Sequence, residues 1–195
     1  MNELIKRHIE GYKYREENYK YCFDLENWRT SESYALIKKY CDSEDKIIEV
    51  GTLSAHHLVL LGQEKYKYLY GIDFVEGAIK MGKKWNDEFD LDINLKVGCF
   101  NSTSYDIKFD KIILFDVLEH QEDVKQFLNI VKTYCTKQTE VLFLVPKGEE
   151  YFDNCHINFY PSTKAFETVL NKYFKIIECY EVEDGKKLFA RCTYE

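Results

Sequence analysis

Proline and glycine are scarce in this chain, with two and nine among 195 residues. No linker rich in either can be found, and no stretch repeats or falls into low complexity. No apolar run approaches the ~18–20 residues that a membrane-spanning helix needs. The opening segment MNELIKRHIEGYKYREENYK is charged throughout and has no signal-peptide core. No two cysteines stand as CxxC. The seven, at 22, 41, 99, 135, 155, 179 and 192, are odd in number and widely spaced. That pattern argues against a zinc site or a disulfide framework, and is expected of reduced thiols in a cytoplasm. Positive charge is also short: the net charge is −7 and the pI about 5.4. Nucleic-acid binders usually carry a basic stripe. Here Lys83-Lys84 and Lys186-Lys187 sit among acids and read as solvated faces, so nucleic acid is disfavoured as a partner.

Aromatics are abundant, with 16 Tyr and 13 Phe. The lean toward Tyr, Lys, Ile, Asn and Phe is what an AT-rich genome produces, so the tyrosines alone are no binding device. The hydrophobic and charged fractions, 45% and 31%, are ordinary for a soluble globular protein. The length suits one domain over 1–195, with an N-terminal helical segment (1–41) and a core (46–195).

Hydrophobic spacing predicts a first helix around Leu4, Ile5, His8, Ile9 and Tyr12, and a second after Ser31 as N-cap. From residue 46 strands and helices alternate. Strands are expected at 46–50, 67–73, 93–98, 110–116 and 139–146, with helices at 55–65, 75–89, 122–135 and 162–174. Ser162 caps the last of these. The runs 175–182 and 186–194 flank Glu183-Asp184-Gly185 as a hairpin. This order implies a doubly wound α/β fold, a mostly parallel sheet covered on both faces with an antiparallel C-terminal hairpin.

In such sheets a ligand lies beyond the carboxyl ends of the strands. Those ends carry Glu49 and Gly51, Asp73, the run Gly98-Cys99-Phe100-Asn101, and Asp116. An acid after the second strand suits a ribose, because one carboxylate accepts from both vicinal hydroxyls. Asp73 is equally placed to cap the helix that follows it.

The segment KIIEVGTLSAH resembles motif I of the class I S-adenosylmethionine-dependent methyltransferases, and YLYGIDFVEGAIKMGKK resembles their second motif. FDKIILFDVLEHQEDVKQFLNIVK is similar to the corresponding segment of the small-molecule, sugar and quinone O- and N-methyltransferases. The later Val145-Pro146 and HINFYPSTKAFETVL resemble the same group. The resemblance implies a Rossmann-like seven-stranded sheet in the order 3-2-1-4-5-7-6, and S-adenosylmethionine as cofactor. Glu49, Gly51, Ser54, Asp73, Phe74, Cys99, Phe100, Asn101 and Asp116 are the cofactor candidates that follow. Motif I departs from the family: its alternate glycines become Gly51, Leu53 and Ala55. Leu53 is expected to crowd the cofactor unless its side chain turns into the core. Cys99 stands where an acid usually reads the adenine, which leaves that task to Asn101 or backbone groups.

Methyl transfer from a sulfonium needs alignment and exclusion of water, and a hydroxyl acceptor also needs its proton removed. Histidine suits that at neutral pH. His120, one turn past Asp116, is the first candidate base and His156 the second. His56 and His57 are adjacent on a helix, cannot chelate one ion together, and read as packing or surface residues. Asp116, Glu119 and Asp123 do not make a convincing metal cluster, so no metal is expected. Glu119 is placed to orient a neighbour. In this family the N-terminal segment often lids the site, which makes Tyr14 and Trp28 substrate-contact candidates, with Asn158 beside His156.

With no insertion or extra domain, a small acceptor is expected, most simply O-methylation of a sugar or sugar-derived metabolite. N-methylation and a quinone-type phenol are the alternatives, as is a non-catalytic binding subunit. A homodimer is a compatible assembly. An NAD-dependent enzyme is disfavoured because GxGxxG is absent.

Overall fold

The computed structural model describes residues 3, 6, 7, 9–11, 13, 24–148 and 155–194. The described positions from 3 to 13 are helical. Of the residues expected on the inner face of that helix only Ile9 is described; Leu4, Ile5, His8 and Tyr12 lie outside the described residues, as does Tyr14. Two further helices precede the first strand, α1 (Leu25–Arg29) and α2 (Glu32–Tyr40). Ser31 caps α2 as expected, its Oγ accepting from the Tyr34 amide at 3.1 Å. The short α1 has its own cap, Asp24, which accepts from the Glu26 amide at 3.0 Å. No helix among the described residues is long and apolar enough to cross a membrane.

Met1–Thr103 and Ser104–Glu195 form two compact units. The first carries β1 (Lys46–Val50), α3 (His56–Gln63), β2 (Tyr68–Asp73), α4 (Glu76–Glu88) and β3 (Ile93–Val97). Its strands are all parallel, in the order β3-β2-β1. Ile47, Ile48, Leu69 and Ile72 are all buried although they include neighbours in sequence, which is why these strands read as apolar runs without alternation. Close packing fixes the helices. A Cβ on Gly71, in mid-β2, would lie 2.8 Å from both the Leu58 and Leu95 side chains. A Cβ on Gly82 of α4 would lie 2.8 Å from the Ser54 carbonyl oxygen, so α4 rests directly on the loop after β1.

The second unit carries β4 (Lys111–Phe115), α5 (Val124–Thr133), β5 (Glu140–Pro146), α6 (Thr163–Leu170), β6 (Lys175–Val182) and β7 (Lys187–Thr193). Its order is β4-β5-β7-β6; β4 and β5 are parallel, and β7 pairs antiparallel with both neighbours. The seven strands therefore follow the expected order 3-2-1-4-5-7-6 of a mixed, Rossmann-like sheet. Ser162 caps α6, accepting from the Ala165 amide at 3.2 Å. This helix ends at Leu170, short of the expected Phe174. The amides of Tyr173 and Phe174 both turn back to the Leu170 carbonyl, at 2.9 and 3.0 Å, which closes the helix while Phe174 stays buried. The hairpin turn is Glu183-Asp184-Gly185, all three at positive φ.

Candidate functional site

The three strands of the first unit end level with one another. Val50 pairs with Ile72, and Asp73 with Val97. The loop Gly51–Ala55, the Phe74-Val75 step and the segment Gly98–Ser102 all follow from those ends. In the first loop Gly51, Leu53 and Ala55 have φ of 72°, 50° and 58°. Two residues with side chains thus hold the left-handed backbone normally left to glycine, at a cost of about 1–2 kcal/mol each. The Leu53 side chain does not crowd the loop: it packs on Val75 and Ala78 of α4, alongside Phe74 and Ile9.

Asp73 joins the loop to the helix. Its Oδ2 accepts from the Leu53 amide at 2.9 Å and its Oδ1 from the Val75 amide at 2.8 Å. It thus braces the loop and the entry to α4 but does not cap the helix, whose N-cap is Val75 with no side-chain cap bond. Burial pushes its carboxyl above the usual carboxylate range, against the pull of the amides of Val75, Leu53 and Phe74. Three amides on one carboxylate leave about one of its roughly four lone-pair sites for a further donor.

Glu49, near the end of β1, is buried. Its Oε1 lies 2.6 Å from Nδ1 of His57, and its Oε2 accepts from the Thr52 hydroxyl at 2.6 Å. Nε2 of His57 lies 3.0 Å from Ser33 Oγ, which lies 3.0 Å from Ser31 Oγ, which donates to the Trp28 carbonyl at 2.7 Å. The acid of motif I is therefore tied to the cap of α2. His57 is a buried hydrogen-bonding residue, beyond the packing or surface role its sequence position implied. His56, its neighbour, is stacked under the Trp28 ring at 3.6 Å between centroids. Neither nitrogen of His56 has a hydrogen-bond partner among the described residues, and burial together with the neighbouring His57 pushes its imidazole well below the ordinary histidine range. The Ser54 hydroxyl, completely buried in the loop, also lacks a partner among the described residues. Beyond β3, Phe100 is buried in a short 3-10 turn, Asn101 is exposed, and the Cys99 carbonyl accepts from the hydroxyls of Ser102 and Thr103.

In the second unit Asp116 follows β4 with φ 52°. Its carboxylate is 44% exposed and lies 2.8 Å from Nζ of Lys187. The turn Leu118–His120 brings Glu119 inward, to 1% exposure. His120 and His156 come together, with ring centroids 4.7 Å apart. Nδ1 of His120 lies 2.9 Å from the Cys155 carbonyl oxygen. A carbonyl only accepts, so Nδ1 carries the proton and Nε2 holds the lone pair in the neutral ring. That Nε2 is 3.7 Å from Oε1 of Glu119. The loop bearing His156 is held to the same turn, since the amides of Ile157 and Asn158 donate to the Glu119 carbonyl at 2.9 and 3.0 Å. The Asn158 side chain donates to the Gln121 carbonyl at 2.7 Å. Tyr160, buried nearby, keeps its proton firmly: burial and then the Glu119 charge both raise its phenol. Sequence reasoning paired neither Glu119 with His156 nor Asp116 with Lys187, because both contacts join residues far apart in the chain.

A family model described as a methyltransferase domain matches residues 16–177. The chain belongs to that family. This methyltransferase is similar in fold to the PH0226 protein from Pyrococcus horikoshii OT3, with TM-score 0.76 and 14% identity, covering 94% of this chain and 99% of that one. It is similar to an S-adenosylmethionine-dependent methyltransferase from Clostridium acetobutylicum ATCC 824, with TM-score 0.70 and 12% identity, covering 91% and 98%. It is also similar to DhpI in complex with SAH, with TM-score 0.73 and 14% identity, covering 98% and 97%. No curated protein gives a significant match. The chain is an S-adenosylmethionine-dependent methyltransferase of class I.

The residues of the first unit fit that cofactor. Gly51, Leu53 and Ala55 all hold left-handed backbone, Asp73 keeps a lone pair at the strand end, and Ser54 holds a buried hydroxyl without a partner among the described residues. Both oxygens of Glu49 are engaged, by His57 and Thr52, so this residue also braces the loop.

Proposed function

We propose that this methyltransferase methylates an oxygen of a small polar acceptor, a sugar or sugar-derived metabolite, with His120 as general base. The supporting observation is the His120 tautomer. With Nδ1–H held on the Cys155 carbonyl, Nε2 is the nitrogen that receives a proton, beside His156 and the buried Glu119. When bound, S-adenosylmethionine supplies an already activated methyl group, so the protein has only to hold it, dry the site and take the acceptor's proton.

In this reading Asp73 receives the ribose hydroxyls, the Gly51–Ala55 backbone approaches the methionine portion, and Phe74, Phe100 and Asn101 flank the adenine. Cys99 contributes backbone groups, and Asp116, at the end of β4, remains a cofactor candidate. His156 and Asn158 contact the acceptor. Trp28, packed on His56, belongs to the lid; Tyr14, the other candidate, lies outside the described residues. The odd number and wide spacing of the cysteines support work in a reducing cytoplasm. Methyl transfer from labelled S-adenosylmethionine to a panel of monosaccharides, sugar phosphates, aminosugars and phenols tests the reading. Transfer to a sugar hydroxyl that falls at least 100-fold in kcat in His120→Ala supports it. Transfer confined to amines or phenols, or full turnover in both His120→Ala and His156→Ala, overturns it.

A further inference from the structure

We propose that Glu119, His120 and His156 bind one divalent transition-metal ion. The side chains offer one carboxylate oxygen and two imidazole nitrogens, all within 4.8 Å of one another. Among the described residues no other group of three acids, histidines or cysteines comes so close. Two imidazoles and one carboxylate form a borderline-soft donor set that suits Zn²⁺, Co²⁺ or Fe²⁺ better than Mg²⁺ or Ca²⁺, and three protein ligands leave a position open.

The surroundings are built as ligand supports are. His120 is fixed by donation from Nδ1 to the Cys155 carbonyl, which presents the Nε2 lone pair toward Glu119. Such an outer hydrogen bond sets the tautomer and the ring orientation of a ligating histidine. The two ligand-bearing segments are joined by backbone, through the Ile157 and Asn158 amides on the Glu119 carbonyl and the Asn158 side chain on the Gln121 carbonyl. The spacing therefore comes from the fold as well as from side-chain chance. Metal–ligand bonds of about 2.0–2.2 Å put tetrahedral ligands roughly 3.4 Å apart. The widest separation must close by roughly 1.4 Å, shared between two side chains. Glu119 is 1% exposed, and a carboxylate so buried is stabilised by a cation more than by any neutral donor.

The proposal rests on the reading that the acceptor oxygen meets this cluster; with the ion bound, the ion takes over the proton-removing role that His120 has in the metal-free protein. Bound imidazoles no longer accept protons. The acceptor hydroxyl, taken as a further ligand, becomes more acidic and releases its proton to water. Its oxygen lone pair then forms the bond to the methyl carbon, the carbon–sulfur bond of the sulfonium breaks, and the products are the methyl ether and S-adenosylhomocysteine.

The test is metal titration of the EDTA-stripped full chain, with Co²⁺ followed by its visible absorption and Zn²⁺ by calorimetry. One equivalent is expected, with affinity at least 100-fold weaker in His120→Ala and His156→Ala and weakened in the conservative Glu119→Gln. Cys155→Ser should bind as wild type, since its carbonyl and not its thiol is used. Circular dichroism confirms that each variant is folded. No stoichiometric binding, affinity unchanged in the three ligand variants, or loss in Cys155→Ser overturns the proposal. Methyl transfer that persists unchanged in EDTA sinks the metal and leaves the histidine base; an ion bound in a protein that methylates no small hydroxyl compound sinks the acceptor reading alone.

Discussion

Nδ1 of His57 lies 2.6 Å from Oε1 of Glu49, and both residues are only 4% exposed. The pair couples the end of β1 to the first turn of α3, and through Ser33 to the cap of α2. Removing one partner strands the other in the interior, which costs about 3–5 kcal/mol. His57→Ala is therefore expected to lose about 3–5 kcal/mol of unfolding free energy in a urea titration, and His57→Gln to lose less by keeping one donor. A change under 1 kcal/mol for His57→Ala would show that the contact carries little of the stability.

The strained loop makes a second prediction. Ala55→Gly relieves a left-handed backbone by about 1–2 kcal/mol and removes one buried methyl worth about 0.8 kcal/mol. The net change in stability should fall within about 1 kcal/mol of zero. Leu53→Gly gains the same relief but gives up the packing on Val75 and Ala78, so it should destabilise by roughly 1 kcal/mol while cofactor affinity stays within threefold. Gly51→Val, which forces a β-branched residue to φ 72°, should weaken cofactor binding more than either. Equal affinity in all three would mean that the loop's backbone shape does not matter to the cofactor.

Much of this was legible in the sequence because it is local. The caps Ser31 and Ser162 act on amides three residues on, and the turn at Glu183-Asp184-Gly185 and the acid-ended strands are read from neighbours. The backbone at Leu53 and Ala55 was not, since local preference argues against positive φ there and only packing against α4 and β2 imposes it. Glu49–His57, Glu119–His156 and Asp116–Lys187 were also hidden, because each depends on which strands and turns the fold sets side by side. His120 and His156 were found separately as candidate bases. That they share one carboxylate appears only in three dimensions.

Lys187 is held by Asp116 and by Glu183, at 2.8 and 3.4 Å. Burial works to lower its pKa, but the two carboxylates outweigh it and raise the group above its ordinary value. A lysine whose folded pKa is raised stabilises the fold fully below its unfolded pKa, about 10.4, and loses that contribution as pH climbs through the folded value. Lys187→Met should therefore be less stable than wild type by about 1 kcal/mol at neutral pH, a modest figure because Asp116 is well exposed. The gap should shrink above about pH 10.5. A difference that grows with alkalinity would reverse the assignment.

Asp73 is the most direct test that this chain works as an S-adenosylmethionine-dependent enzyme through the site described. Its carboxyl is raised by burial, so protonation begins above the usual carboxylate range. Cofactor affinity should then begin to decline at a higher pH than an ordinary carboxylate would set. The same shift makes ionised Asp73 a cost to folding, present above its folded pKa and relieved as pH falls through it. The deciding measurement is calorimetric titration of S-adenosylhomocysteine into wild type and Asp73→Asn at pH 7.5. Hydrogen bonds to a charged group contribute about 1.5–3 kcal/mol, so one-to-one binding weakened by about 10- to 150-fold in the variant is the predicted result. No heat of binding to the wild type at millimolar ligand, or an affinity untouched by Asp73→Asn, would contradict it.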